Sequence, residues 1–173
     1  MSFFAGDIGP CVLVWDPSGT PVTMSIHATE GAKFESELFV SAVNTAQKGK
    51  VPASEVTAGR NGKLTVQLTQ SALAELEDVI KGASLSGSKL TVLNDVGNDL
   101  YALAKEIIVK PIRNGVVSTT ASEWLHILKT YPKAKPNWTY NADGQRVTEV
   151  VFDGYPSDDS GYVGVVWMVG KSA

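Results

Sequence analysis

The segment Lys63-Leu64-Thr65-Val66-Gln67-Leu68 alternates polar and apolar side chains without a break, which puts Leu64, Val66 and Leu68 on one face of an extended strand. A strand with one apolar face must bury it, and the residues that follow supply a partner. From Ser71 to Lys81 the apolar positions Leu73, Leu76, Val79 and Ile80 recur at helical spacing, while Glu75, Glu77 and Asp78 take the other side. Thr69 or Ser71 can cap the start of this helix, and Gly82 can end it in the left-handed conformation. An amphipathic helix directly behind an alternating strand has to lie against a sheet or a partner.

The rest of the chain reads as strand. Residues 11–15 and 21–26 flank the turn-rich Asp16-Pro17-Ser18-Gly19-Thr20 and predict a hairpin. From Phe34, near-alternation puts Phe34, Leu38, Val40 and Ala42 on one face, with Glu35, Glu37 and Ser41 opposite, joined by Phe39. This pattern predicts a half-buried strand. The stretch from Asn44 to Gly62 is polar and holds Pro52, so it predicts a long irregular connection with extended parts. Lys89 to Leu93 and Leu100 to Val109 predict two strands meeting across the turn residues 94–99, with a helix as the alternative around Ala102-Leu103-Ala104. Leu125 to Leu128, Arg146 to Phe152 (entered through the Asn141-Ala142-Asp143-Gly144 turn) and Tyr162 to Val169 predict the remaining strands. With no internal repeat, residues 1–173 predict a single domain, mainly β with one flanking α-helix, in a sandwich or barrel.

At this length the chain can bury roughly 70% of its unfolded surface without staples. The single cysteine, Cys11, excludes an intrachain disulfide and any site built from several thiolates; within Cys11-Val12-Leu13-Val14-Trp15 it reads as a small buried hydrophobe. Residues 1–7 lack the basic and apolar pattern of a signal peptide, and no apolar run approaches the roughly 20 residues of a membrane span. The expectation is therefore folding in a cytoplasm, with no membrane insertion. A net charge of −3, with acids and bases interspersed, offers no basic stripe for gripping nucleic acid.

No catalytic, metal or cofactor constellation stands out. His27 and His126 are far apart and lack His or Cys partners at ligand spacing. The run Gly82 to Lys89 has two glycines and a lysine, but its Ser and Lys are reversed relative to a phosphate-binding loop. It also follows a helix where such a loop precedes one, so it reads as a helix-to-strand linker. Ser86 and Lys89 have the spacing of an acylating Ser/Lys pair, yet they open a strand where that chemistry needs a helix. Asp95, Asn98 and Asp99, and likewise Asp153, Asp158 and Asp159, read as solvated turn residues because neither group has calcium-loop spacing. Trp15, Trp124, Trp138 and Trp167 are scattered, as core or interface aromatics are.

The order of these pieces resembles the major tail tube proteins of tailed bacteriophages. Three features carry the resemblance: the Lys33-Phe34-Glu35-Ser36-Glu37-Leu38 opening, the connection ending in Val51-Pro52-Ala53-Ser54-Glu55-Val56-Thr57-Ala58-Gly59-Arg60, and the Leu64 to Leu68 strand running into the helix that ends at Gly82-Ala83. In the carboxy-terminal half it continues through Leu125 to Ala134 and Val147 to Phe152, so that it spans Lys33 to Gly170; residues 1–32 do not align. The resemblance implies a subunit of six-membered rings that stack head to tail into a hollow tube. Such a tube would be located in the virion tail, assembled in the bacterial host cytoplasm, with DNA only as passing cargo. The partners implied are other copies of the chain, tape-measure and tail-tip or baseplate proteins, and in some tails a sheath.

Within that expectation, Glu35 and Glu37 are candidates for an acidic lumen lining that repels phosphates. Asn44, Gln47, Lys48, Gly49, Lys50, Val51, Pro52, Glu55 and Arg60 are candidates for an arm that contacts a neighbouring subunit or ring. Related tail terminators, neck proteins and injection-apparatus tubes share this physics. Two other classes compete: a β-sandwich module presenting Trp124, Trp138 and the 153–161 loop to a glycan or host surface, and an enzyme pairing His126 with a distant acid.

Overall fold

The structure, a computed structural model, describes residues 10–25, 31–43, 54–68, 73–94, 96–138 and 147–170. Its strands in chain order are β1 (Cys11–Trp15), β2 (Val22–Ser25), β3 (Ala32–Glu35), β4 (Leu38–Val43), β5 (Ser54–Arg60) and β6 (Lys63–Leu68). The helix α1 (Leu73–Val79) follows. Then come β7 (Ala83–Ser86), β8 (Lys89–Val92), β9 (Lys105–Arg113), β10 (Val116–Val117), β11 (Leu125–Asn137), β12 (Val147–Tyr155) and β13 (Trp167–Val169). Nine strands form one antiparallel sheet with the path β2-β1-β9-β11-β12-β6-β3, β10 beside β9 and β13 beside β11, while β4-β5 and β7-β8 are separate hairpins. The protein is mainly β with one short helix, as its alternation patterns predict.

The period-two patterns explain where the core sits. Leu13, Met24, Leu64, Val66, Leu68, Ile107, Ile127, Val150 and Phe152 come from six of the sheet's strands and are all buried in one cluster, closed by Val79 of α1. Both ends of the strand path, Met24 on β2 and the half-buried Phe34 on β3, reach this same cluster. The sheet therefore curls around its own inner face, and α1 plugs the concavity with Leu76 and Val79. The described part of the helix is shorter than its pattern, and Gly82 at φ +77° takes the chain out of it, with Ala83 N–H bonding back to Ile80 O.

Four strand expectations need correction. β8 does not meet β9 across residues 94–99; it folds back on β7 through Gly87-Ser88, and Gly87 at φ +60° supplies the turn. The presumed linker at Gly82 to Lys89 is thus mostly a hairpin. β9 begins only at Lys105, after a turn at 100–103, and pairs with β1 and β11. β11 runs on through Pro132 and Pro136 for 13 residues, because β9 leaves its side after Thr130 and no described strand replaces it, so the prolines lie where one side needs no ladder. Finally, the apolar run from Tyr162 is a strand only from Trp167; Gly161 and Gly164, both at positive φ, keep the preceding residues in a loop. The expected caps Thr69 and Ser71 and the turn at Asn141 to Gly144 lie outside the described residues.

β9 contains its own proline at Pro111, opposite Cys11 of β1. Ser118 N–H donates to Pro111 O, but Pro111 has no N–H to return, and the indole N–H of Trp124 donates to Ser118 O at 3.0 Å. A side chain thereby completes a ladder that the imide nitrogen cannot.

β12 and β13 run in one direction along β11, paired with Lys129–Asn137 and Leu125–Ile127 respectively, so residues 156–166 form a loop inserted into one strand path. Where the path is interrupted, Gly154 N–H donates to Gly62 O at 2.7 Å. A Cβ on Gly154 would lie 2.8 Å from Val166 Cγ1, 2.9 Å from Ile127 Cγ2 and 3.0 Å from Gly62 O. Gly154→Ala is expected to lower stability by about 1–3 kcal/mol through overpacking, read as a lower urea midpoint with an unchanged denaturant slope.

Candidate assembly surface

The hairpin of β4 and β5 leaves the sheet at a tightly bonded base. Glu37 N–H donates to Asn61 Oδ1 at 2.8 Å, Asn61 N–H returns to Glu37 O at 3.0 Å, and Ser36 Oγ donates to Asn61 O at 2.8 Å. The indole of Trp167 donates to Ser36 Oγ at 3.0 Å and packs edge-on against Phe34, with ring centroids 5.2 Å apart. Gly62 is buried against that indole, where a Cβ would lie 2.8 Å from the ring. The base is thus fixed to β3, β6, β12 and β13.

Beyond the base, all of β4 and nearly all of β5 is exposed, and no other described element packs extensively on either strand. The registers Leu38↔Arg60, Val40↔Thr57 and Ala42↔Glu55 place those six residues on one face, and Phe39↔Gly59, Ser41↔Val56 and Val43↔Ser54 define the other. Gly59 at φ +147° accompanies the register shift between Phe39 and Val40. Leu38, Phe39, Val40, Val43 and Val56 are each 43–53% exposed. Apolar residues on both faces of an isolated two-stranded ribbon are far from an ordinary monomer surface, and such a ribbon is marginal in water by itself.

Of the arm candidates, Glu55 and Arg60 sit on β5, an ordered strand where the sequence predicts an irregular connection. Asn44, Gln47, Lys48, Gly49, Lys50, Val51 and Pro52 lie outside the described residues. The residues the sequence pattern misses are the apolar ones: Leu38, Val40 and Ala42 read as a buried face because their alternation is correct, but no covering layer is present in the chain's described part.

Glu35 is exposed on β3, where Lys33 reaches it at 2.8 Å. That hydrogen bond, with the charge of Lys33 and the more distant Lys63, holds the Glu35 carboxyl below its ordinary range. Glu37 lies in the two-residue link between β3 and β4, also exposed. The two glutamates therefore do not share one strand face as their spacing suggests.

The remaining candidates separate in space. Trp124 precedes β11 and Trp138 follows it, which puts them on the order of 40 Å apart along the strand path. Trp124 has Lys110 Nζ 4.2 Å above its ring, and the Trp138 indole donates to Thr148 Oγ1. They form no shared platform. His126 finds an acid, with Nδ1 2.8 Å from Glu106 Oε1, but its ring is 2% exposed and Nε2 is buried without a partner. It lines neither the cleft at Lys133 nor the cleft at Lys129. His27 lies outside the described residues. Among the described residues no group of three or more His, Cys, Asp or Glu is placed to hold a metal ion, and no helix is long and apolar enough to cross a membrane. Burial raises the Cys11 thiol above its ordinary range.

The inserted loop at 156–166 is internally bonded: Ser157 N–H to Val165 O, Gly164 N–H to Ser157 O and Tyr162 N–H to Asp159 O, with Ser157 itself buried. Lys129 ties it to β11 through an ion pair with Asp158. A scan of protein-family models finds no match to this chain, and a search of curated proteins finds none either.

The hydrogen bond from Lys129 holds the Asp158 carboxyl below its ordinary value and the Lys129 ammonium above its own. A depressed carboxyl contributes anchoring that is complete above about pH 4, the ordinary range, and is lost as pH falls through the depressed value. The raised lysine loses its share only at alkaline pH. Backbone NMR order parameters at Tyr162 and Gly164 are therefore expected to hold across neutral pH and drop in acid. Asp158→Ala should give the acid behaviour at neutral pH without moving the global melting temperature.

Proposed function

We propose that this chain is a self-assembling structural subunit of the kind that builds the hollow tail tube of a bacteriophage, six copies to a ring with rings stacked head to tail. The observation that carries the reading is the β4–β5 hairpin: firmly fixed at its base, apolar on both faces, and uncovered by any described element. A ribbon in that condition gains most by docking on a second copy, and its open edges offer unpaired N–H and C=O groups to a neighbouring strand.

In this reading the protein is located in the virion tail after assembly in the bacterial host cytoplasm, meets tape-measure and tail-tip or baseplate proteins and in some tails a sheath, and passes DNA as cargo. A weakly acidic lumen suits a polyanion that has to slide. Glu37 is the better lining candidate of the two glutamates, because the ammonium of Lys33 offsets the charge of Glu35.

The test is mass in solution and negative-stain electron microscopy at rising concentration. The native protein is expected to form rings or tubes. Val56→Lys and Phe39→Lys should remain folded by circular dichroism and stay monomeric, since a buried lysine at a contact has no partner charge. A monodisperse native monomer at every concentration would overturn the reading.

A further inference from the structure

Single exposed aliphatic residues such as Leu103, Val163 and Val169 are ordinary features of a protein surface. Clusters are not, and the described surface carries two clusters of three or more. One is the β4–β5 hairpin. The other is Val92, Leu93 and Val96, which are 54, 66 and 80% exposed and fall within five consecutive positions at the end of β8. Leu93 N–H donates to Gly82 O, so this second cluster is held against the end of α1 by the ladder of its own hairpin.

Resting on the self-assembly reading above, we infer that the contact between copies is heterologous: the β4–β5 hairpin of one copy seats on the Val92–Val96 patch of the next. An isologous contact sets one patch against its own image and would leave the other patch bare, whereas a heterologous contact covers both at once. The flanking charges favour the same pairing. Along β5 the order is Glu55, the apolar Val56, then Arg60; along the second patch it is Lys89, the apolar cluster, then Asp99, and all four charged residues are exposed. Laid together in the same chain sense, Glu55 meets Lys89 and Arg60 meets Asp99, so each acid faces a base and the register is fixed. A contact of this type repeats from copy to copy, which a ring or a stack requires and a closed dimer does not.

The experiment uses Val56→Cys and Val96→Cys, prepared separately and treated with a bis-maleimide crosslinker alone and mixed, with the native protein, which carries only Cys11, as baseline. Crosslinked dimer is expected in the mixture at several-fold above either variant alone. In a companion pair, Glu55→Lys should weaken assembly and Lys89→Glu added to it should restore assembly. Strong crosslinking of Val56→Cys with itself would establish an isologous hairpin contact and overturn the inference. Native assembly without crosslinking in the mixture would also overturn it, while leaving the self-assembly reading intact; absence of native assembly would sink both.

Discussion

Two glycines, Gly62 and Gly154, meet where four strands and a hairpin converge, and the bond from Gly154 N–H to Gly62 O holds that junction. It joins the end of β12 to the start of β6, and both glycines lack the Cβ that would strike Trp167, Val166 or Ile127. Because the junction is this close, Trp167 can lie over Gly62 and reach Ser36, and Ser36 can close the base of the β4–β5 hairpin. The interrupted path of β12 and β13 along β11, the loop inserted between them and the exit angle of the hairpin all depend on the same few contacts.

Free energy is unevenly distributed around that junction. The inner face of the sheet gathers fully buried aliphatic and aromatic side chains, each contributing on the order of 1.5–3 kcal/mol by burial, and α1 closes it. The hairpin has the backbone bonds of a two-stranded ribbon and almost no buried side chain, so ordering its residues is offset by little apolar gain. One chain thus contains a core that is complete and a ribbon that is not.

Much of the sheet was legible in the sequence because its strands keep strict alternation: Leu64, Val66 and Leu68, or Val150 and Phe152, announce their buried face by period alone. The helix and its Gly82 ending were legible for the same reason. Pairing was not. Nothing local distinguishes β8 folding on β7 from β8 meeting β9, and the turn-rich residues at 94–99 point to the wrong partner. The prolines of β11 read as loop because their tolerance depends on which side of the strand lacks a neighbour, a property of the sheet and not of the segment. The hairpin was the hardest case: Glu55 and Arg60 were picked for their charge in a stretch read as irregular, while Leu38, Phe39, Val40 and Val56, which define the candidate surface, looked like core. A pattern can show that a face is apolar, but it cannot show which molecule covers it.

That last distinction bears on how such a chain stays soluble before it assembles. The two hairpin faces are neither wholly apolar nor wholly polar: Leu38, Val40 and Ala42 share theirs with Glu55, Thr57 and Arg60, while Phe39, Val43 and Val56 share theirs with Ser41 and Ser54. Charges at the two ends of β5 and hydroxyls between the aliphatic residues limit each continuous apolar strip, and the glycine-marked bulge at Gly59 interrupts the regular edge that indiscriminate pairing would need. The ribbon is apolar enough to be worth covering and irregular enough that only a matching surface covers it well. Local opening of so exposed an element takes far less free energy than global unfolding, so the hairpin can adjust to a neighbour while the core, closed by its own packing and by α1, is left undisturbed.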